Sequence, residues 1–442
     1  MWGIDPQKSS NMLSESIAHP TLHEPLLTPL GIHHKRNCCR ICDSQNLHLF
    51  LSLGAMPLAN AFLETPANFR DERSYPLDVY FCANCTLVQL VDVIDPTVLF
   101  SQYNYITGTS DTIAAHHVKY ARAMVERLEL KPSDLVIEIA SNDGSLLKNF
   151  RPYGVRTLGV EPAQNIAKIA NAAGIETANQ FFNAALALQL ASVYGRAQCI
   201  IANNVLAHVD DPKDFLLGCK QLLAPEGIIS IEVPYIYNLI EQLEYDTIYH
   251  EHLSYFSVQS LMLLCQEVGL GIMGVEYIPI HGGSIRVLMG YRARYPTHST
   301  SVLDLVKSEK ALGLDQFWRY SAFGDDVLAH RHNLLSALHE LKTSQKSIVG
   351  YGAPAKGNTL LNFCKIGTDL LPYTVDKSIL KVGRYTPGMH IPVRSISDLI
   401  EDQPDYVLVL AWNFVEEIMR QQELYRQRGG KFLVPFPAPH IL

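Results

Sequence analysis

The stretch TIYHEHLSYFS, Thr247 to Ser257, sets Tyr249, His250, Glu251, His252 and Tyr255 within seven positions. Metal ligation, proton transfer and plain hydrogen bonding in a polar loop ahead of a helix all suit these residue types. Two histidines at i and i+2 share a face in a strand and not on a helix. An imidazole titrates near about 6.5, so it can take a proton at neutral pH. A carboxylate beside it, as Glu251 is to His252, can orient the ring and stabilise the imidazolium. Tyr249 or His208 can hold a developing oxyanion. His250 has no role that the pattern demands.

A metal has a better home elsewhere. Cys39 and Cys42 are spaced CxxC, and so are Cys82 and Cys85. Two such knuckles supply four thiolates for tetrahedral zinc. Cys38 is adjacent and could replace Cys39. Four protein ligands leave no open position, which makes the expected metal structural. The other reading is four small buried residues.

VIEIASNDGSLL has the form strand, small-residue turn, helix start. The acid-x-G-x-G-x-G pattern of adenosylmethionine sites is present as Glu138-x-Ala140-x-Asn142-x-Gly144, with two glycines replaced. Ala and Asn still let backbone approach a ligand. Glu161 closes the next strand, where an acid can take both ribose hydroxyls. The strand CIIANNVLAHV brings Asn203, Asn204 and His208 to the same sheet edge.

A second loop, GYGAPAKGN, reads Gly350-x-Gly352-x-x-Ala355, with Asp376 ending the following strand. This matches a dinucleotide fingerprint and keeps a nicotinamide-dependent oxidoreductase in view. Lys356 beside a helix N-terminus suits a diphosphate instead. Asn358, Lys381, Arg384 and the turn at Pro387-Gly388 would complete a substrate rim. A solvated charged face is the alternative for Lys381 and Arg384.

These residues need elements to position them. Strands and helices alternate from Leu135 to Pro234, which implies a parallel sheet covered on both faces. A helix is expected from Asp111, another at SLLKNF, and one long connecting helix from about Ser301 to Leu341. The βα alternation resumes at SIVGYG. The fold class is therefore α/β: a Rossmann-like methyltransferase domain (99–275), a small zinc-binding domain before it (38–98), and a second Rossmann-like unit after it (276–442). Residues 1–37 are expected to be a disordered extension.

The 442 residues, 48% hydrophobic and 18% charged, describe a globular chain of two or three domains. A net charge of −8 argues against general nucleic-acid binding. No apolar run is long enough for a bilayer and the N-terminus lacks a signal-peptide core, so the cytoplasm is the expected location. Oligomeric state is open.

In order, the CxxC pairs, SxxYxYxTGTS at Ser101 to Ser110, EIASNDGSLL, YHEHLSYFS, GGSIRV and YGAPAKGN resemble the sugar C-methyltransferases that build branched deoxysugars on nucleotide carriers. The resemblance spans residues 38 to 442. It implies zinc in the first domain, adenosylmethionine in the second and a thymidine-diphospho sugar held with help from the third. It implies methylation of the carbon next to a ketone, with His252 as general base and Tyr249 and Glu251 as its neighbours. His208 and Tyr103 would lie at the reaction centre or the donor, and Lys356 near the nucleotide sugar. A methyltransferase for another small molecule and a non-catalytic nucleotide-sugar binding protein remain alternatives.

Overall fold

The computed structural model describes residues 31–103, 106–107, 111–279 and 282–442. Parts of the SxxYxYxTGTS motif and residues 1–30 of the expected extension lie outside them. Strands β1 (Leu135–Ile139), β2 (Arg156–Val160), β3 (Thr177–Ala178), β4 (Ala197–Asn203) and β5 (Leu223–Pro234) run parallel. Strands β6 (Leu270–Ile278) and β7 (Ser284–Tyr291) form a hairpin. The spatial order is β3-β2-β1-β4-β5-β7-β6, with β7 antiparallel to both neighbours. This is the Rossmann-like arrangement of class I methyltransferases. β1 is buried at all five positions, as a central parallel strand covered on both faces must be. The order reverses between β1 and β4, so their C-terminal ends open a crevice for a ligand.

β7 lies beyond the expected seam at residue 275, yet Ser284–Tyr291 pairs within the methyltransferase sheet. SLLKNF forms a short 3-10 stretch, Leu147–Tyr153, because Pro152 cannot continue a helix. The long connecting helix is two helices, Thr300–Leu312 and Phe317–Thr343. Gly313, at φ +81°, ends the first.

The zinc module is a four-stranded antiparallel sheet. Its order is Ser254–Tyr255, Val88–Leu90, Tyr75–Cys82 and Leu47–Met56. The first of these strands is the end of the YHEHLSYFS segment, so that segment joins two domains. His33–Lys35, expected within the extension, is a strand paired with Asp92–Ile94.

The third domain carries β8 (Ile348–Tyr351), β9 (Thr374–Asp376), β10 (Val393–Ser395), β11 (Tyr406–Val409), β12 (Lys431–Val434) and β13 (His440–Ile441). Their order is β10-β9-β8-β11-β12-β13, parallel except for β13. Its core is continuous with that of the zinc module: Leu77, Val79 and Phe81 share one cluster with Tyr320, Phe323, Leu360 and Leu408. Continuity of this kind fixes the geometry of any site between the domains.

Candidate active site and metal centre

Each cysteine pair is a tight knuckle. Asp43 and Thr86 take the left-handed conformation (φ 55° and 62°), and their N–H groups return to the carbonyls of Cys39 and Cys82. The knuckles bring Cys39, Cys42, Cys82 and Cys85 together, with all four Sγ atoms within 4.8 Å of one another. Cys39 lies 3.4 Å from Cys85, and Cys42 lies 3.6 Å from Cys82. A zinc–thiolate tetrahedron with bonds of about 2.3 Å has edges of about 3.8 Å, so the thiolates fit zinc. Cys38 stands outside the cluster, which assigns the position to Cys39.

A cavity of about 570 Å³ opens at the C-terminal edge of the methyltransferase sheet, and all three domains line it. Glu138, Ala140, Asn142, Glu161 and Asn203 stand on its wall, as does Tyr103. Ala140, Asn142 and Gly144 have φ of 57°, 49° and 74°, so the turn adopts its left-handed path despite two missing glycines. Gly144 does not line the cavity. A Cβ there would meet Ile175 at 2.9 Å, so this is the position where glycine is obligatory.

Buried oxygens aimed at this cavity support the fit of adenosylmethionine. Glu138 Oε2 and Asn203 Oδ1 have no hydrogen-bond partner among the described residues. Burial, and then Asp143, push the Glu138 carboxyl well above its ordinary value. A donor ligand bearing an ammonium would satisfy it. Glu161 holds the turn: its two oxygens accept the N–H of Asn142 (2.9 Å) and of Ala163 (2.8 Å). Each oxygen keeps a second lone pair for a ribose hydroxyl.

His252 is fixed from both sides. Its Nδ1 donates to the Thr247 carbonyl at 2.7 Å, and its Nε2 lies 2.9 Å from the Tyr249 hydroxyl. A carbonyl only accepts, so Nδ1 carries the hydrogen and Nε2 is the basic atom, receiving the tyrosine O–H. His208 packs edge-on against it, with ring centroids 4.8 Å apart. Burial, and then the neighbouring His252, hold His208 well below its ordinary value. His208 is therefore held toward its neutral form beside His252. Tyr249, His252 and His208 all line the cavity.

Glu251 does not orient His252; the Thr247 carbonyl does that. The chain turns between them, and Glu251 points to Asn60 Nδ2 (2.6 Å) and the Tyr103 hydroxyl (3.1 Å). Burial pushes its carboxyl up to about 7, against those two donors. His250 is a buried residue whose Nε2 donates to the carbonyls of Tyr75 and Pro76 at 3.2 Å.

In the third domain, Lys356 and Lys381 line the cavity. The Lys356 ammonium sits 4.0 Å above the Trp412 ring, whose Nε1 donates to Asp246 at 2.7 Å. Burial lowers the Lys356 pKa, against the pull of Asp246 and Glu244. Asn358 and Arg384 are not on the cavity wall. Asn358 is buried in the helix Ala355–Cys364 and donates to the Ala59 carbonyl at 2.7 Å, while Arg384 lies 3.6 Å from Glu64. Both were drawn toward the zinc module, whose position the sequence does not reveal.

The dinucleotide fingerprint is internally satisfied. Asp376, which would take a ribose, accepts the N–H of Ala353 (2.7 Å) and of Ser378 (2.7 Å), and Lys381 donates to the Ala353 carbonyl. Sequence reasoning passed over Asn60 and the pair His116–Glu232. His116 lies 3.3 Å from Glu232, which Arg286 also engages at 2.8 Å. The doubled histidine at 116 and 117 was a visible signal; Asn60, in a featureless loop, gave none.

Three family models match in chain order: a zinc binding domain at residues 39–100, a methyltransferase domain at 114–273 and a C-methyltransferase C-terminal domain at 279–437. The C-methyltransferase NovU of Streptomyces niveus is 36% identical over 91% of this chain and 96% of its own length. Among solved structures, a SAM-dependent methyltransferase from Thermotoga maritima is 17% identical over 40% of this chain and 88% of its own, with a TM-score of 0.31. The magnesium protoporphyrin IX methyltransferase of Synechocystis, with bound SAM, is 13% identical over 40% and 81%, also at 0.31. Superpositions this loose do not bear on the site.

Proposed function

Because the chain belongs to the C-methyltransferase family, we propose that it methylates a carbon beside a ketone on a nucleotide-linked deoxysugar. The observation that carries this reading is the fixed tautomer of His252, with a basic Nε2 on the cavity wall. Carbon becomes nucleophilic only after losing a proton, and a C–H beside a ketone is the kind an imidazole can remove when the enolate is held.

Adenosylmethionine, when bound, supplies an electrophilic methyl group. Glu138, Asn203 and the turn at Ala140–Gly144 would hold it, with Glu161 at the ribose. His252 Nε2 takes the proton from the substrate carbon, the C–H electron pair becomes the C=C bond of the enolate, and the C=O π pair moves onto the ketone oxygen. The Thr247 carbonyl stabilises the imidazolium through Nδ1. Tyr249, released when Nε2 gains its proton, turns its O–H to the enolate oxygen. His208 stays neutral and leaves the charge on His252. Tyr103, directed by Glu251, lies on the same wall.

Lys356 and Lys381 favour an anionic substrate, and a diphosphate suits two partly buried ammonium groups lining one cavity. The acid that would serve the nicotinamide alternative, Asp376, does not line the cavity. Incubating 4-keto sugar nucleotides with enzyme, adenosylmethionine and heavy water tests the proposal by mass spectrometry. Deuterium incorporation without donor and a gain of one methyl with donor are expected. If every candidate keto sugar comes back unlabelled and unmethylated, the substrate class is wrong.

A further inference from the structure

Arg40 lies between two metal ligands, in the knuckle Cys39-Arg40-Ile41-Cys42, and its side chain has no exposed surface. A wholly buried guanidinium is costly unless its donors are met. Here Nε and Nη1 reach into both loops that carry the histidine pair, while Nη2 is buried with no partner among the described residues. Nη1 donates to the Leu253 carbonyl at 3.2 Å, to the Leu90 carbonyl and to Gln89 Oε1 at 3.2 Å. Nε donates to Asp210 Oδ1 at 3.2 Å. Leu253 follows His252 directly, and Asp210 stands two residues after His208. The two loops are also joined to each other, Leu253 N–H to the Ala207 carbonyl at 2.7 Å. His34 and Arg36 approach Asp210 as well, at 3.8 and 3.2 Å.

We propose that Arg40 is a positioning residue for the reaction: anchored between two metal-binding thiolates, it sets the register of the His208 and His252 loops against one another. It touches neither histidine and no atom of the substrate. The zinc knuckle then has a second task beyond ordering its own domain, since the backbone that bears Arg40 is pinned at both ends by ligands. The His252 loop has other anchors, among them Leu90 N–H on the Leu253 carbonyl at 3.0 Å and His250 on Tyr75 and Pro76; Arg40 differs in being a side chain that bonds both loops. The strand Ser254–Tyr255 is two residues long, too short to hold a loop by itself.

The proposal rests on His252 being the base, so its test has one arm that does not depend on that reading. Arg40→Met, purified with its full zinc content, is expected to show faster backbone amide exchange in residues 205–211 and 247–255 than wild type. With substrate, kcat should fall by roughly 100-fold while KM and donor affinity move less than about 3-fold, the pattern of a misplaced base. Arg40→Lys should recover part of the loss. Should Arg40→Met fail to fold, Asp210→Ala replaces it, with the same direction at roughly 10-fold, because it removes one of the four contacts. Unchanged amide exchange in both segments overturns the positioning role even if activity falls. Altered exchange beside a wild type that labels no keto sugar supports the positioning role and removes the substrate reading instead.

Discussion

The Tyr249 hydroxyl lies 2.9 Å from His252 Nε2, and the opposite nitrogen of the same ring faces the Thr247 carbonyl at 2.7 Å. One side chain and one backbone atom thus fix which nitrogen is basic and what covers it at rest. In the proposed reaction, the tyrosine hydrogen bond would pass from imidazole to enolate as the proton moves.

His252→Ala should abolish both solvent deuterium exchange into the keto sugar and methyl transfer, by about 10³-fold or more, while donor affinity stays near wild type. Isothermal titration with adenosylmethionine and a mass-spectrometric exchange assay check the two halves. Turnover at the wild-type rate would remove His252 from the role of base.

Tyr249→Phe keeps the ring and deletes the O–H. The expected result is a kcat lower by about 100-fold, with deuterium exchange lowered equally, since one oxyanion donor is lost. Transfer that slows while exchange does not would place the tyrosine at the methyl step instead.

Glu251 supplies a pH test. Its folded carboxyl is pushed up to about 7 by burial, so between the ordinary carboxylate range and pH 7 the folded chain binds a proton that the unfolded chain has released. Its contribution to stability is therefore present at low pH and lost as pH rises toward 7. Glu251→Gln, which cannot ionise, should flatten that part of the curve. Urea midpoints of wild type and variant at pH 5 and pH 8 measure it: the variant should gain at pH 8 relative to wild type, by a few kcal/mol at most. Glu244 and Asp246, raised to about 8 and about 6, slope the same way in both proteins and cancel in the difference.

Lys356→Met should raise the KM for the nucleotide sugar by about 10- to 100-fold with a smaller change in kcat, because a charge contact to a non-reacting group is lost equally in ground and transition states. Adenosylmethionine affinity should not change. A fall in donor affinity with an unmoved KM would assign this lysine to the other ligand.

Cys85→Ser should lower bound zinc from about one per chain toward none and reduce the thermal midpoint. Metal analysis beside calorimetry decides it. A variant with full zinc would mean that Cys38 or another group has taken the place.

The cysteine pairs, the turn after β1 and the YHEH segment were legible because each is local: spacing within a few residues encodes the geometry. What eluded the sequence depends on distant chain segments. The partner of His252 is a backbone carbonyl, which no residue type advertises. The partner of Glu251 is Asn60, 191 positions away. Asn358 and Arg384 were assigned to the substrate because they follow a phosphate-like loop, yet they face Ala59 and Glu64 across a domain contact. The break at Gly313 was concealed by apolar periodicity that runs on through both helices. The pairing of Ser284–Tyr291 with the sheet that precedes the seam was hidden because chain order and sheet order differ there.

The segment from Thr247 to Ser257 lies between strands of the methyltransferase sheet in chain order, yet its Ser254–Tyr255 is an edge strand of the zinc module. The chemistry therefore belongs to a junction, and neither module owns it. Exchange of whole modules between relatives, in the laboratory or over evolutionary time, would separate the histidine from the surface that seats it unless the knuckle travels with the loop. Such a chain diversifies by changing the walls of its cavity, and inherits its modules as one piece.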